Sequence, residues 1–97
     1  MVDLHVTVAG VEFQNPLIAA SGTFGFGREY SEFYPLSALG GISCKGITIK
    51  ERPGNPPPRV TETPSGMLNA VGLQNPGVDH FIEHDLPWLS QQGTKII

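Results

Sequence analysis

Charge is scarce in this sequence: only 15% of the residues are Asp, Glu, Lys or Arg, against about 25% in an average globular domain. A small self-contained domain has a large surface for its volume and covers it with charge. The shortage therefore points to a piece of a larger body whose neighbours cover part of its surface. A single cysteine, Cys44, excludes an intrachain disulfide and a four-cysteine zinc site. No apolar run approaches the ~20 residues of a membrane-spanning helix. The N-terminal MVDLHVTV has neither the basic start nor the long apolar stretch of a secretion signal. A formal net charge of −3, with scattered basic residues, leaves no electrostatic footprint for nucleic acid or an anionic membrane. A cytoplasmic protein is the expectation.

What the chain has in quantity is turn residues, 12 glycines and 9 prolines in 97 positions. Residues 4–8 alternate in polarity, Ala9-Gly10 interrupts, and residues 11–13 resume, which reads as a β-hairpin. Leu17-Ile18-Ala19-Ala20 is a short apolar run of the kind buried on both faces of a parallel sheet, and it leads into the glycine-rich SGTFGFG of residues 21–27. Residues 28–39 carry Tyr30, Phe33, Tyr34 and Leu36 at near-helical spacing, with Pro35 as a breaker. Residues 42–49 are the most strand-like stretch. Strand, loop, helix and strand in that order begin a βαβ arrangement.

Residues 50–77 are a long proline- and glycine-rich connection in which 59–63 reads as a short extra strand. Its mixture of Met67, Leu68, Val71 and Leu73 with Asn69 and Asn75 predicts an ordered binding loop rather than disorder. Residues 78–92 form the clearest helix: Val78, Phe81, Ile82, Leu86 and Leu89 fall on one stripe, and Pro87 kinks or splits it. A last β-like run begins at Gly93. So few β–α steps cannot close a barrel, which needs eight strands and typically ~250 residues, so the chain reads as truncated.

Several segments suggest chemistry. His80, Glu83 and His84 match the H-x-x-E-H pattern of inverted zinc proteases. The helical wheel, however, places them opposite the apolar stripe, and Asp85 is the one acid that follows. A solvated helix face is the better reading, and no metal site is expected. The glycine loop 22–27 lacks both the G-K-[ST] of a P-loop and the third glycine of a dinucleotide fingerprint, yet a loop at the C-terminal end of a parallel strand is where α/β folds bind ligands. Lys45 sits in an apolar run, where an ammonium needs an anionic or strongly accepting partner unless it lies on an edge strand with its head in solvent. Cys44 points to the opposite face and reads as a small buried hydrophobe. The amides and accessible backbone of residues 64–77 suit a planar polar ligand with a carboxylate and ring amides. A loop held by its own Asn turns is the plainer alternative.

Taken together, NPLIAASGTFGFGREY (15–30), CKGITIKERPGNPPPRVTETPSGMLNAVGLQNPG (44–77) and the PWL of 87–89 resemble the class 1B dihydroorotate dehydrogenases over all 97 residues. That resemblance implies an α/β fold, the N-terminal portion of a (β/α)8 TIM barrel preceded by a β-hairpin, with residues 1–97 as part of one FMN-binding domain. Residues 17–20 would be the first barrel strand, and 41–46 the second. It implies FMN contacts at Ser21, Lys45 and Gly46, and dihydroorotate or orotate contacts at Lys45, Asn69, Ala70, Val71, Gly72 and Leu73. The catalytic base would be a cysteine of a later loop; Cys44 is not in that motif. A homodimer and a partner subunit carrying FAD and an iron–sulfur cluster, which passes electrons to NAD, are also implied. The alternatives are a non-catalytic fragment and a related flavin barrel acting on another dihydropyrimidine.

Overall fold

The alternation of residues 4–13 folds as expected. In the computed structural model, which describes residues 1–97, β1 (Val6–Val8) and β2 (Val11–Phe13) pair antiparallel, with Val8 opposite Val11. Ala9 and Gly10 both take positive φ, 50° and 80°, the mirror-image turn whose twist suits a two-residue hairpin. Phe13 is the residue of this hairpin that is buried.

The chain then enters a parallel sheet. β3 (Ile18–Ala19) pairs with β4 (Gly41–Ile42), and β4 with β7 (Lys95–Ile96), so the order is β3-β4-β7. Between β3 and β4, residues 28–39 do not form the expected helix. Two 3₁₀ turns, Tyr30–Glu32 and Leu36–Ala38, stand in its place. Pro35, extended at ψ 128°, separates them, because proline disfavours the α conformation in the residue before it and donates no hydrogen bond.

The strand expected over 42–49 is also shorter. Ladder-type bonds continue past β4 from Ser43 N–H to Ala19 O and from Cys44 N–H to Ile97 O. Beyond that point Thr48 N–H donates to the Asn75 side chain at 3.0 Å and leaves the sheet.

The connection 50–77 contains the expected strand near 59–63, β5 (Val60–Thr63), and also its antiparallel partner β6 (Gly66–Asn69). Every residue of this hairpin is exposed, so nothing in its polarity pattern marks a buried face. At its base Arg52 and Asn75 exchange backbone bonds of 2.9 and 3.0 Å.

The helix begins as predicted with α1 (Val78–His80), widens into a π-turn (Phe81–Asp85) and ends with α2 (Leu86–Leu89). Pro87 has no N–H to return to residue 83, and Leu86 N–H reaches back to Phe81 O, one residue further than in an α-helix. That extra residue rotates the surface. Ile82, expected on the apolar stripe, is 53% exposed, whereas Asp85 is only 7% exposed. Val78, Phe81 and Leu86 are partly buried and Leu89 is fully buried.

Leu89 packs with Phe24, Leu36 and Ile42 in the core, which sits between the sheet, the 3₁₀ turns and the helix. No helix of the chain is long and apolar enough to cross a membrane.

Candidate active-site cleft

Three loops meet beyond the C-terminal ends of β3 and β4. The first, leaving β3, folds down through aromatic contacts. Phe24 is buried and stacks on Tyr30 with ring centroids 4.4 Å apart, and Phe26 lies 5.2 Å from Phe81. Arg28 then bridges to the helix. Its guanidinium lies 4.4 Å above the Trp88 ring, its Nε is 3.4 Å from Asp85 Oδ1, and it donates to His84 O at 3.1 Å. His80 Nδ1 is 3.5 Å from the other Asp85 oxygen. The buried carboxylate thus has the Arg28 guanidinium as its cationic donor, as a buried charge requires, with the His80 ring beside it.

The second wall is the extended run after β4. Lys45 is half-buried and makes no ion pair within the chain. Gly46 follows, exposed, with Leu73 close enough that a Cβ there would lie 3.4 Å from its Cδ1. Cys44 is half-buried; burial pushes its thiol pKa up, and the negative charge of Asp85 adds to the effect.

The third wall, residues 70–77, is held by side chains of its neighbours. Successive carbonyls are all occupied: Ala70 O by Asn55 Nδ2 at 2.8 Å, Val71 O by Asn55 N–H at 3.0 Å, Gly72 O by Arg52 Nε at 2.7 Å and Leu73 O by Asn75 Nδ2 at 2.8 Å. Gly72 and Leu73 adopt positive φ, 82° and 54°. A side chain at Gly72 would meet Asn55 Nδ2 at 2.8 Å.

Asn75 is the anchor of this wall. It is 4% exposed, and its Oδ1 accepts from Thr48 N–H, Thr48 Oγ1 and Gly77 N–H at 3.0, 3.1 and 3.0 Å. Asn75→Ala strands the buried Gly77 N–H and the part-buried Thr48 N–H, and frees the Leu73 carbonyl; the Thr48 hydroxyl keeps its bond to Lys50 O at 2.6 Å. It is expected to cost about 3 kcal/mol in chemical denaturation of the complete protein.

The walls enclose a cleft of about 390 Å³, lined by Gly25, Phe26, Arg28 and Glu29 of the first loop, Lys45 of the second, and Val71, Gln74 and Pro76 of the third. Of the residues singled out in the sequence, Lys45 and Val71 share this cleft, and Gly46 lies against Leu73 beside it. Ser21 is exposed on the loop leaving β3, outside the lining, and Gly72 turns toward Asn55. Asn69, at the end of β6, and Ala70 line a separate hollow of about 340 Å³ at the hairpin base. His80 and His84 stack at 4.3 Å on the exposed side of the helix, with Glu83 exposed beside them.

A parallel sheet entered from a hairpin, with a lysine-bearing cleft at its strand ends, fits the family to which the sequence motifs point, and comparison with known proteins decides it. The sequence model of the family described as dihydroorotate dehydrogenase matches residues 3–97. The chain belongs to the dihydroorotate dehydrogenase family.

It is 59% identical over 97 residues to the "Dihydroorotate dehydrogenase B (NAD(+)), catalytic subunit" of Petrotoga mobilis. To the protein of the same description from a Thermoanaerobacter species it is 57% identical over 96 residues. These matches take in 100% and 99% of the chain, while the chain spans 32% of the length of each relative. Among solved structures it is similar to the DHODH of Eimeria tenella in complex with ferulenol, with a TM-score of 0.59 and 26% identity, covering 79% of this chain and 21% of that one. The fold is accordingly the opening portion of that family's barrel, with β3 and β4 as adjacent parallel strands.

Sequence reasoning missed Arg28, Glu29 and Asp85 as parts of the cleft and its supports, and it reached Gln74 only as one of the amides of residues 64–77. Asp85 left one signal, an acid at helical spacing between Phe81 and Leu89. Gln74 lay inside the quoted MLNAVGLQNPG motif. Arg28 and Glu29 left none, because their role depends on where the first loop folds.

Proposed function

We propose that this chain is the N-terminal part of the FMN-containing catalytic subunit of a class 1B dihydroorotate dehydrogenase, oxidising (S)-dihydroorotate to orotate in pyrimidine biosynthesis. The observation that carries the proposal is Lys45, a half-buried cation without a protein counter-ion, in a cleft at the C-terminal ends of parallel strands. The description shared by the relatives, a NAD(+) catalytic subunit, supports a separate partner subunit, which the sequence resemblance implies carries FAD and an iron–sulfur cluster and delivers electrons to NAD. The catalytic subunit itself is proposed to be a cytoplasmic homodimer.

The residues present fit FMN. An unpaired ammonium beside the apolar Phe26 and Val71, with the backbone bare at Gly46, suits a flat heteroaromatic ring with an electron-rich edge. Lys45 and Gly46 would hold it, with Ser21 on the loop leaving β3; Lys45 and Val71 would hold the pyrimidine from within the cleft, and Asn69, Ala70, Gly72 and Leu73, which flank Val71 outside the lining, would meet it where it extends along that segment. When bound, FMN supplies the hydride acceptor for the C6–H of dihydroorotate. Lys45 holds a positive charge where negative charge arrives, and the 70–77 wall, fixed by Asn55, Arg52 and Asn75, keeps its backbone N–H groups in one orientation.

The C5 proton must pass to a base. Cys44 is unsuited to that task, since burial, with the Asp85 charge adding to it, pushes its thiol pKa up and away from the thiolate form a base needs. The base is proposed to be a cysteine of a later loop, as the resemblance implies.

The test uses the complete enzyme. Anaerobic dihydroorotate should bleach the bound flavin within the time of turnover, and dihydrouracil should not. Bleaching by dihydrouracil alone would point instead to a barrel acting on a different dihydropyrimidine.

A further inference from the structure

We infer that Gln74 is a specificity-determining residue of this cleft, its amide oriented by Arg59 so that a neutral N–H₂ donor faces the ligand opposite the Lys45 ammonium. The inference rests on the site proposed above and adds to it a contact outside the 69–73 run.

The geometry begins with Arg59. Its guanidinium is tied on two sides to backbone, donating from Nε to Asn55 O at 2.6 Å and from Nη2 to Pro53 O at 2.9 Å. The remaining edge donates from Nη1 to Gln74 at 2.6 Å. Arginine has only donors, so the Gln74 atom it touches must be the carbonyl oxygen. This settles an orientation that the shape of an amide alone leaves open.

The stem is confined as well. At Gly54, where φ is +79°, a Cβ would come within 3.2 Å of the Gln74 Cβ and 3.4 Å of the Arg59 Cζ. With Oε1 engaged, Nε2 lies on the far side of the amide from Arg59 and has no acceptor in the chain. Gln74 is exposed at the rim that this cleft shares with the adjoining hollow of Glu51 and Arg52, and it lines the cleft together with Lys45. One wall therefore offers a point charge and the other a pair of neutral donors.

That pairing selects a chemical class. The ammonium takes an anionic or strongly polarised oxygen, and the amide takes a neutral carbonyl of the kind carried by a cyclic imide or urea. A ligand that lacks the carbonyl leaves the amide without a partner, the situation in which sites built on hydrogen bonds discriminate most strongly.

Two variants of the complete flavoenzyme test this, with orotate titrated against the flavin spectrum. Gln74→Glu keeps an acceptor for Arg59 but replaces the donor with a second carboxylate oxygen. Gln74→Met keeps the length and the packed stem without either polar group. Both are expected to raise the orotate dissociation constant at least about tenfold, with flavin content as in the wild type. Unchanged affinity in either variant would overturn the inference and leave the proposed oxidation standing. Loss of flavin in both would overturn it too, since a merely structural residue does that. A wild-type enzyme with no affinity for orotate would overturn both this inference and the function on which it rests.

Discussion

Replacing Lys45 with alanine in the complete enzyme is expected to slow reduction of the bound flavin by dihydroorotate by at least about 10²-fold, the scale on which preorganised electrostatic groups act when charge develops beside them. Two cations line the cleft, Arg28 and Lys45, and they are not equivalent. Arg28 is committed to Asp85, the Trp88 ring and the His84 carbonyl, whereas Lys45 has no ion-pair partner in the chain. Only Lys45 is free to meet charge brought by a ligand. Removing it leaves Arg28 held where it is, so no second cation moves in to compensate. Rapid mixing under anaerobic conditions reads the effect in one turnover, and a wild-type rate would remove Lys45 from the chemistry.

The largest effect on folding is expected at Gly40. A Cβ there would stand 1.9 Å from the Asn15 carbonyl oxygen, with the Asn15 side-chain oxygen at 3.0 Å. The obstacle is backbone, and it cannot swing aside. Asn15 Nδ2 donates to Ala38 O at 3.0 Å, Gly40 N–H donates to Leu17 O at 2.9 Å, and Gln14 Nε2 bonds both Ser37 O and Leu39 O. These bonds clamp residues 14–17 to 37–40 at the entry to the parallel sheet. Gly40→Ala must open the clamp and is expected to cost roughly 3–5 kcal/mol, at the upper end for single substitutions. Gly66→Ala is the matched control, because its nearest neighbour is Thr63 Oγ1 at 3.8 Å. Thermal denaturation of the complete protein should show a large fall for the first and little change for the second.

Much of this architecture could be read in the sequence, for identifiable reasons. The first hairpin declares itself by period-2 alternation around Ala9-Gly10, and β3 and β4 by short apolar runs next to glycines. Lys45 is conspicuous because an ammonium inside an apolar run demands an explanation.

The unread parts depend on contacts distant in sequence. The β6 strand carries Met67 and Leu68 exposed, and it exists because β5 pairs with it. Asp85 becomes buried because Pro87 widens the helix by one residue, a shift that a regular helical wheel does not contain. The orientation of Gln74 is set by Arg59, fifteen positions away. Asn69 and Ala70 belong to the same motif as Val71, yet the end of the hairpin carries them into a different hollow.

The most direct test of the central claim, that the cleft around Lys45 is the site of dihydroorotate oxidation, is a crystal structure of the complete enzyme with flavin and orotate bound. Lys45 Nζ is predicted to lie within about 3.2 Å of an oxygen or ring nitrogen of the flavin or the orotate, with orotate against the 69–73 segment. Orotate bound away from this cleft, or a Lys45 head turned to solvent, would contradict it.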